Sequence, residues 1–88
     1  MKEQIRLPLT QAIFDQVRQL IGKELKVSPA LVTRPAKLRG PELKADSLDL
    51  INLVMVLAIE FGVEMKDDEV KKIVTVEDLI NYLVASVT

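Results

Sequence analysis

The chain is 88 residues long, with 49% hydrophobic and 28% charged side chains and a formal net charge of −1. This length suits one small domain over residues 1–88, and the hydrophobic fraction is typical of a globular protein rather than a disordered one. Because only 3% of the residues are aromatic and the net charge is not positive, nucleic acid is not expected as a partner.

The sequence lacks both cysteine and histidine. This composition excludes disulfide bonds, thiolate chemistry, the usual zinc sites and a serine nucleophile activated by an imidazole base. No signal-peptide pattern is present at the N-terminus, and no apolar run reaches the roughly 18 residues of a membrane span. We therefore expect a cytoplasmic protein with no metal centre, no membrane insertion and no catalytic residues of its own.

The first predicted element is an amphipathic helix from about Leu9 to Lys26. Thr10 is the expected N-cap, and Pro8 should prevent the helix from extending upstream. Apolar residues recur at spacings of three and four, as a helix with one buried face requires. These residues are Ile13, Val17, Leu20, Ile21 and Leu25.

A short turn and a long loop follow. Ser28 and Pro29 read as a cap and a first-turn proline, which predict a helical turn through Val32. From residue 33 to residue 45 the periodicity disappears, and two prolines and a glycine interrupt the chain. Loops of this length are often functional. A solvated crossover between two helices is an equally good interpretation.

The next helix is predicted from about Ser47 to Phe61. Asp46 is its expected N-cap, with Asp49 three residues later as the second member of a capping pair, and Gly62 should end it. Ser47 then falls at the first helical position, where its hydroxyl is not needed for capping and can point to solvent. A phosphodiester attached there would lie beside free backbone N–H groups at the positive end of the helix dipole.

Two further helices complete the predicted fold. A short one covers about Lys66 to Ile73, and Thr75 caps the last one. The apolar stripe of that last helix consists of Val76, Leu79, Ile80 and Leu83. The fold class is therefore all-α: a small four-helix bundle of three longer helices and one short helix, with the long loop between the first two main helices.

Residues from Ala45 to Leu83 carry a specific pattern. It opens with Ala45-Asp-Ser-Leu-Asp49. It continues with Leu53-Val-Met55, Leu57, Glu60-Phe61, Glu64, Asp67 to Glu69, Lys72-Ile73, Thr75-Val76 and Tyr82. This stretch resembles the acyl carrier proteins, which have the same or similar residues there without a gap. The first half of the chain matches them in outline only, as a helix, a turn and a long loop.

The resemblance implies a function and a cofactor. Ser47 would carry 4'-phosphopantetheine, flanked by Asp46 and Leu48, after a holo-carrier synthase (a phosphopantetheinyl transferase) moves the arm from coenzyme A. The thiol of the arm would hold an acyl group as a thioester. Acyl-transferring or condensing enzymes of fatty-acid, polyketide or related lipid biosynthesis would then act on this acyl group. The chain itself would be a monomeric carrier and not an enzyme. The alternative is a helical protein-interaction module whose serine is not modified.

The helix that starts at Ser47 departs from that family on one face. Its predicted core side holds Leu50, Leu53, Val54, Leu57 and Phe61, and the other side holds Leu48, Ile51, Asn52, Met55, Val56, Ala58 and Ile59. Typical members have glutamates at the positions of Asn52, Ala58 and Ile59. We predict that this mainly apolar face binds dedicated enzymes by hydrophobic contact, through Asp49, Ile51, Asn52, Met55, Val56 and Ile59. Repacking of the bundle to bury the face is an equal alternative.

The loop before the serine also differs from the family. Lys44 stands where those proteins usually have glycine, and the loop also contains Arg34, Lys37 and Arg39. These cations either hold the phosphates of coenzyme A or keep the loop soluble, and we favour the second interpretation.

Overall fold

Four α-helices and one 3₁₀ turn make up the fold within residues 2–87. The computed structural model describes the backbone of residues 2–87 and the side chains of residues 9–87. The elements are α1 (Lys2–Leu25), the 3₁₀ turn (Pro29–Leu31), α2 (Ser47–Phe61), α3 (Asp67–Val70) and α4 (Val76–Val87). Within residues 2–87 no strand forms, and the predicted all-α bundle of three longer helices and one short helix is confirmed.

Helix α1 begins earlier than its sequence pattern predicted. It starts at Lys2 rather than near Leu9, and it passes through Pro8 and Thr10, so the predicted N-cap at Thr10 is wrong. Proline in a helix interior lacks the N–H that would bond to the fourth residue before it, which lowers stability without making the helix impossible. The downstream turn is as predicted, because the Ser28 side chain accepts the N–H of the second residue after it.

Helix α2 has the predicted bounds. The Asp49 N–H donates to Asp46 Oδ1 at 2.8 Å, and the Asp46 N–H donates to Asp49 Oδ2 at 3.2 Å. This reciprocal pair satisfies two backbone donors that a helix start leaves open. Gly62 ends the helix with a φ of 64°, a left-handed conformation that glycine adopts without a side-chain clash.

Helix α3 is shorter than predicted. It covers Asp67–Val70 instead of Lys66–Ile73, and tight turn bonds follow it, including one from the Ile73 N–H to the Val70 carbonyl at 3.0 Å. The next residue, Val74, accepts the Leu38 N–H from the long loop at 3.0 Å. This tertiary pairing takes the backbone out of the helix, and sequence periodicity cannot report it.

The core is formed by the helices and the long loop together. Helix α1 packs against both α2 and α4. From the helices, the buried residues are Ile13, Val17, Ile21, Leu53, Leu57, Val76, Leu79, Ile80 and Leu83. The loop adds Leu38, Leu43 and Ala45, which are no more than 5% exposed. The loop is therefore part of the core, and its interpretation as a solvated crossover is wrong.

The long loop is attached to the start of α4. The Val76 N–H donates to the Ala36 carbonyl at 2.9 Å, and the Glu77 N–H donates to the Arg34 carbonyl at 2.8 Å. The Arg34 side chain returns to Glu77, with Nε and Nη2 donating to the two carboxylate oxygens at 2.6 and 3.2 Å. These contacts fix the loop that leads to Ser47.

A second capping pair starts α4. The Asp78 N–H donates to Thr75 Oγ1 at 3.1 Å, which confirms Thr75 as the cap. In return Asp78 Oδ2 accepts the backbone N–H groups of Val74 at 3.0 Å and Thr75 at 3.1 Å. These backbone hydrogen bonds, the Val74 one first, hold the pKa of Asp78 below its ordinary value.

The pKa of Asp78 makes stability depend on pH. Because folding lowers this pKa, the carboxylate stabilises the fold above its unfolded pKa, and this contribution is lost as the pH falls below about 4. We expect Asp78→Asn to lower the urea midpoint at pH 7 and to weaken its decline at acidic pH. Urea titrations of both proteins between about pH 3 and about pH 7 measure this. An unchanged pH dependence would contradict it.

Candidate functional site

Ser47 is the first residue of α2, and its side chain is exposed. The capping bonds at this helix start are made by Asp46 and Asp49, so the Ser47 hydroxyl is not used for capping, as the sequence predicted. Its Oγ accepts a hydrogen bond from Arg39 Nη2 at 2.9 Å. The hydroxyl is therefore accessible and lies beside a cation.

A cavity of about 670 Å³ opens beside Ser47 between α2 and α3. Most of its lining is apolar, and Ser47 lies on its edge. The α2 side contributes Leu50, Ile51, Val54 and Met55, and the opposite side contributes Met65, Val70, Ile73 and Val74. A smaller space of about 20 Å³ shares part of this lining and reaches Leu53, Leu57 and Leu79 in the core. Apolar side chains therefore line the space beside the serine and the small space beneath it.

The apolar face of α2 is open to solvent. Ile59 is 81% exposed, Leu48 is 65% exposed, and Ile51 and Met55 are each 57% exposed. The alternative in which the bundle repacks to bury this face is therefore wrong. Asn52 is exposed as well, whereas Val56 and Ala58 are half-buried. Asp49 is also half-buried, and its carboxylate takes part in the capping pair.

The four cations of the loop have different surroundings. Arg34 forms an ion pair with Glu77, and Arg39 donates to Ser47. Lys37 lines the cavity, and Lys44 is exposed. The sequence identified a basic loop but did not single out Arg39. Arg39 and Ser47 are eight residues apart, and only the folded loop brings them together, so no local pattern could have found this contact.

Comparison with known proteins identifies the family. A family model for the phosphopantetheine attachment site matches residues 15–83. An acyl carrier protein of Campylobacter fetus subsp. fetus (strain 82-40) is 39% identical over 72 residues, which cover 82% of this chain and 92% of that protein. One of Thermotoga maritima (strain MSB8) is 44% identical over 73 residues, which cover 83% of this chain and 89% of that protein. The chain belongs to the acyl carrier protein family.

Membership in the acyl carrier protein family decides between the two hypotheses. The chain is a carrier rather than an enzyme, its cofactor is phosphopantetheine, and it works with acyl-handling enzymes. The alternative of an interaction module with an unmodified serine is not favoured. No helix in residues 2–87 is long and apolar enough to cross a membrane. Among the side chains of residues 9–87, no group of three or more acidic residues is arranged to hold a metal ion.

The surroundings of Ser47 fit a tethered phosphopantetheine. The hydroxyl is exposed for modification, Arg39 offers N–H donors to a phosphate, and the adjacent cavity offers apolar surface. When bound, this cofactor supplies a thiol that carries an acyl group as a thioester.

Lys44 occupies a backbone conformation that favours glycine. Its φ is 53°, and this left-handed region costs about 1–2 kcal/mol for a residue with a Cβ. Glycine avoids this strain, but it loses more conformational entropy on folding than other residues, which costs about 0.5–1 kcal/mol. We therefore expect Lys44→Gly, the residue usual in acyl carrier proteins, to raise the free energy of unfolding by about 0.5 kcal/mol.

The matched control is Lys44→Ala, which removes the same charge but keeps the Cβ strain. It should show no comparable gain in urea unfolding. A glycine variant that is no more stable than the alanine variant would contradict this account.

Proposed function

We propose that Ser47 is the residue to which phosphopantetheine is attached, with Asp46 and Leu48 as its immediate neighbours. The observation that carries this proposal is an exposed hydroxyl on the first residue of α2, at the edge of a large apolar cavity. Ser47 also lies within the span matched by the family model for the phosphopantetheine attachment site. Asp46 supports the site indirectly, because its capping bond fixes where α2 begins.

The attachment reaction needs a separate transferase and coenzyme A. The bond between Ser47 Oγ and phosphorus forms, the pyrophosphate P–O bond of coenzyme A breaks, adenosine 3',5'-bisphosphate leaves, and the hydroxyl proton passes to the transferase. The chain has no histidine to act as a base, and the adjacent Asp46 carboxylate is engaged in capping. Ser47 therefore acts as a substrate of the transferase rather than as a catalytic nucleophile.

The cargo we propose is an apolar acyl chain of fatty-acid, polyketide or related lipid biosynthesis. The cavity beside Ser47 has a volume of about 670 Å³ and a mostly apolar lining. Each methylene group transferred from water into such surroundings contributes about 0.8 kcal/mol. An acyl chain placed there would be protected from water while the carrier moves between enzymes.

The partners we propose for the open face of α2 are acyl-handling enzymes with an apolar docking surface. This docking face consists of Asp49, Ile51, Asn52, Met55, Val56 and Ile59. Two of its residues, Ile51 and Met55, also line the cavity beside Ser47, so an enzyme bound there would lie next to the acyl group. Removing the exposed side chains of Ile51, Met55 and Ile59 from water would drive binding. Few charges are present on this face to steer a basic partner.

The remaining sequence-based statements stay predictions. These are one domain over residues 1–88, a monomeric state, a cytoplasmic location and no nucleic-acid partner.

Attachment at Ser47 is tested by mass spectrometry. After incubation with coenzyme A, magnesium and a broad-specificity phosphopantetheinyl transferase, we expect the protein to gain the mass of one arm. Ser47→Ala should gain none, because the accepting oxygen is gone. An unchanged mass of the wild-type protein would overturn the proposal, as would an arm on the alanine variant.

The docking face is tested by the rate of acyl loading by a synthase partner of general fatty-acid synthesis. We expect the wild-type protein to be loaded slowly, because its face is apolar. Asn52→Glu combined with Ile59→Glu, which makes the face acidic, should raise the rate about tenfold by electrostatic steering.

The matched control adds the same charge on α1 and α4, as Gln16→Glu combined with Asn81→Glu. It should leave the loading rate near that of the wild-type protein. Normal loading of the wild-type protein would count against a specialised docking face.

A further inference from the structure

The guanidinium of Arg39 lies next to Ser47 Oγ, the proposed attachment oxygen. Its Nη2 donates to Ser47 Oγ at 2.9 Å, and among residues 9–87 no carboxylate forms an ion pair with it. Arg34 of the same loop is committed to Glu77 through two hydrogen bonds. A guanidinium has five N–H donors, so Arg39 keeps most of its donors available for an anion attached to Ser47.

The backbone around Arg39 is held firmly. The preceding residue, Leu38, is 3% exposed, donates its N–H to the Val74 carbonyl at 3.0 Å and accepts the Ala45 N–H at 2.9 Å. The Gly40 N–H closes a turn by donating to the residue 37 carbonyl at 3.0 Å. The fold therefore fixes the backbone position from which the exposed Arg39 side chain reaches Ser47.

A cation near the start of α2 would help this helix end to hold a phosphate. Asp46 and Asp49 place two carboxylates there, and each already accepts a backbone N–H. Their negative charges oppose the favourable effect of the helix dipole on a second anion. A nearby guanidinium offsets this repulsion and can bind two phosphate oxygens at once.

We infer that Arg39 is a positioning residue that holds the phosphodiester of the arm and directs the arm along the cavity. Arg39, whose guanidinium donates to Ser47 Oγ, is also one of the residues that line the cavity, together with Lys37 and Lys71. The phosphate of an arm on Ser47 is bonded directly to this Oγ, so its free oxygens lie within reach of the remaining donors. This inference rests on the proposed attachment at Ser47.

The test compares apo and holo forms of three proteins at low salt: wild type, Arg39→Gln and Lys44→Gln. Lys44→Gln is the matched control, because it removes the same charge from an exposed site in the same loop. Mass spectrometry first verifies that each holo form carries the arm. Urea unfolding then gives the change in the unfolding equilibrium caused by the arm.

We expect the arm to shift the wild-type equilibrium about threefold toward the folded state, as an exposed ion pair does. Lys44→Gln should keep this shift, whereas Arg39→Gln should abolish or reverse it, because the carboxylates of α2 then repel the phosphate without compensation. A second readout is the ³¹P resonance of the arm, which should differ between wild type and Arg39→Gln at low salt and converge at about 1 M salt.

The outcomes separate this inference from the proposed function. If all three proteins carry the arm and show the same apo-to-holo change and the same ³¹P resonance, Arg39 does not hold the phosphate and the inference is overturned, while attachment at Ser47 stands. If the transferase adds no mass to any of them, both are overturned.

Discussion

The reciprocal hydrogen bonds between Asp46 and Asp49 are the constraint on which the site depends. They determine where α2 begins, and so they make Ser47 the first helical residue with a hydroxyl that capping does not use. The capping pair also places two carboxylates beside that hydroxyl. Accessibility and a local negative charge therefore arise from the same interaction, and a nearby cation would compensate the negative charge when a phosphate is attached.

The loop supplies this compensation because it is packed rather than solvated. Buried Leu38 and Leu43 anchor it in the core, and backbone bonds from the start of α4 hold its first part. The loop also pairs with residue 74 through the Leu38 N–H, so α3 ends at residue 70, and a cavity lies between α2 and α3 beside Ser47. The packed loop thus places Lys37 and Arg39 at the edge of the apolar cavity.

The surface next to Ser47 has two parts that differ in charge and polarity. The loop side is cationic and suits the phosphate of the cofactor. The exposed side of α2 is mainly apolar, with Ile51 and Met55 shared between the cavity and the open face. We propose that this combination favours partners that recognise shape and apolar contact over partners that rely on long-range attraction. The charge of the whole chain, −1, gives no hint of this division.

The sequence alone determined the features that depend on short-range rules. Asp46, Asp49 and Gly62 fixed the bounds of α2, Thr75 marked the start of α4, and the residues around Ser47 indicated the family. Only the tertiary structure decided the rest: the start of α1, the length of α3, the exposure of Ile59, the cavity, and the contact between Arg39 and Ser47. Capping and periodicity act within a few residues, so a single sequence reports them directly. Loop packing joins residues such as Leu38 and Val74 that are far apart in the chain, and its outcome depends on how the whole core is filled.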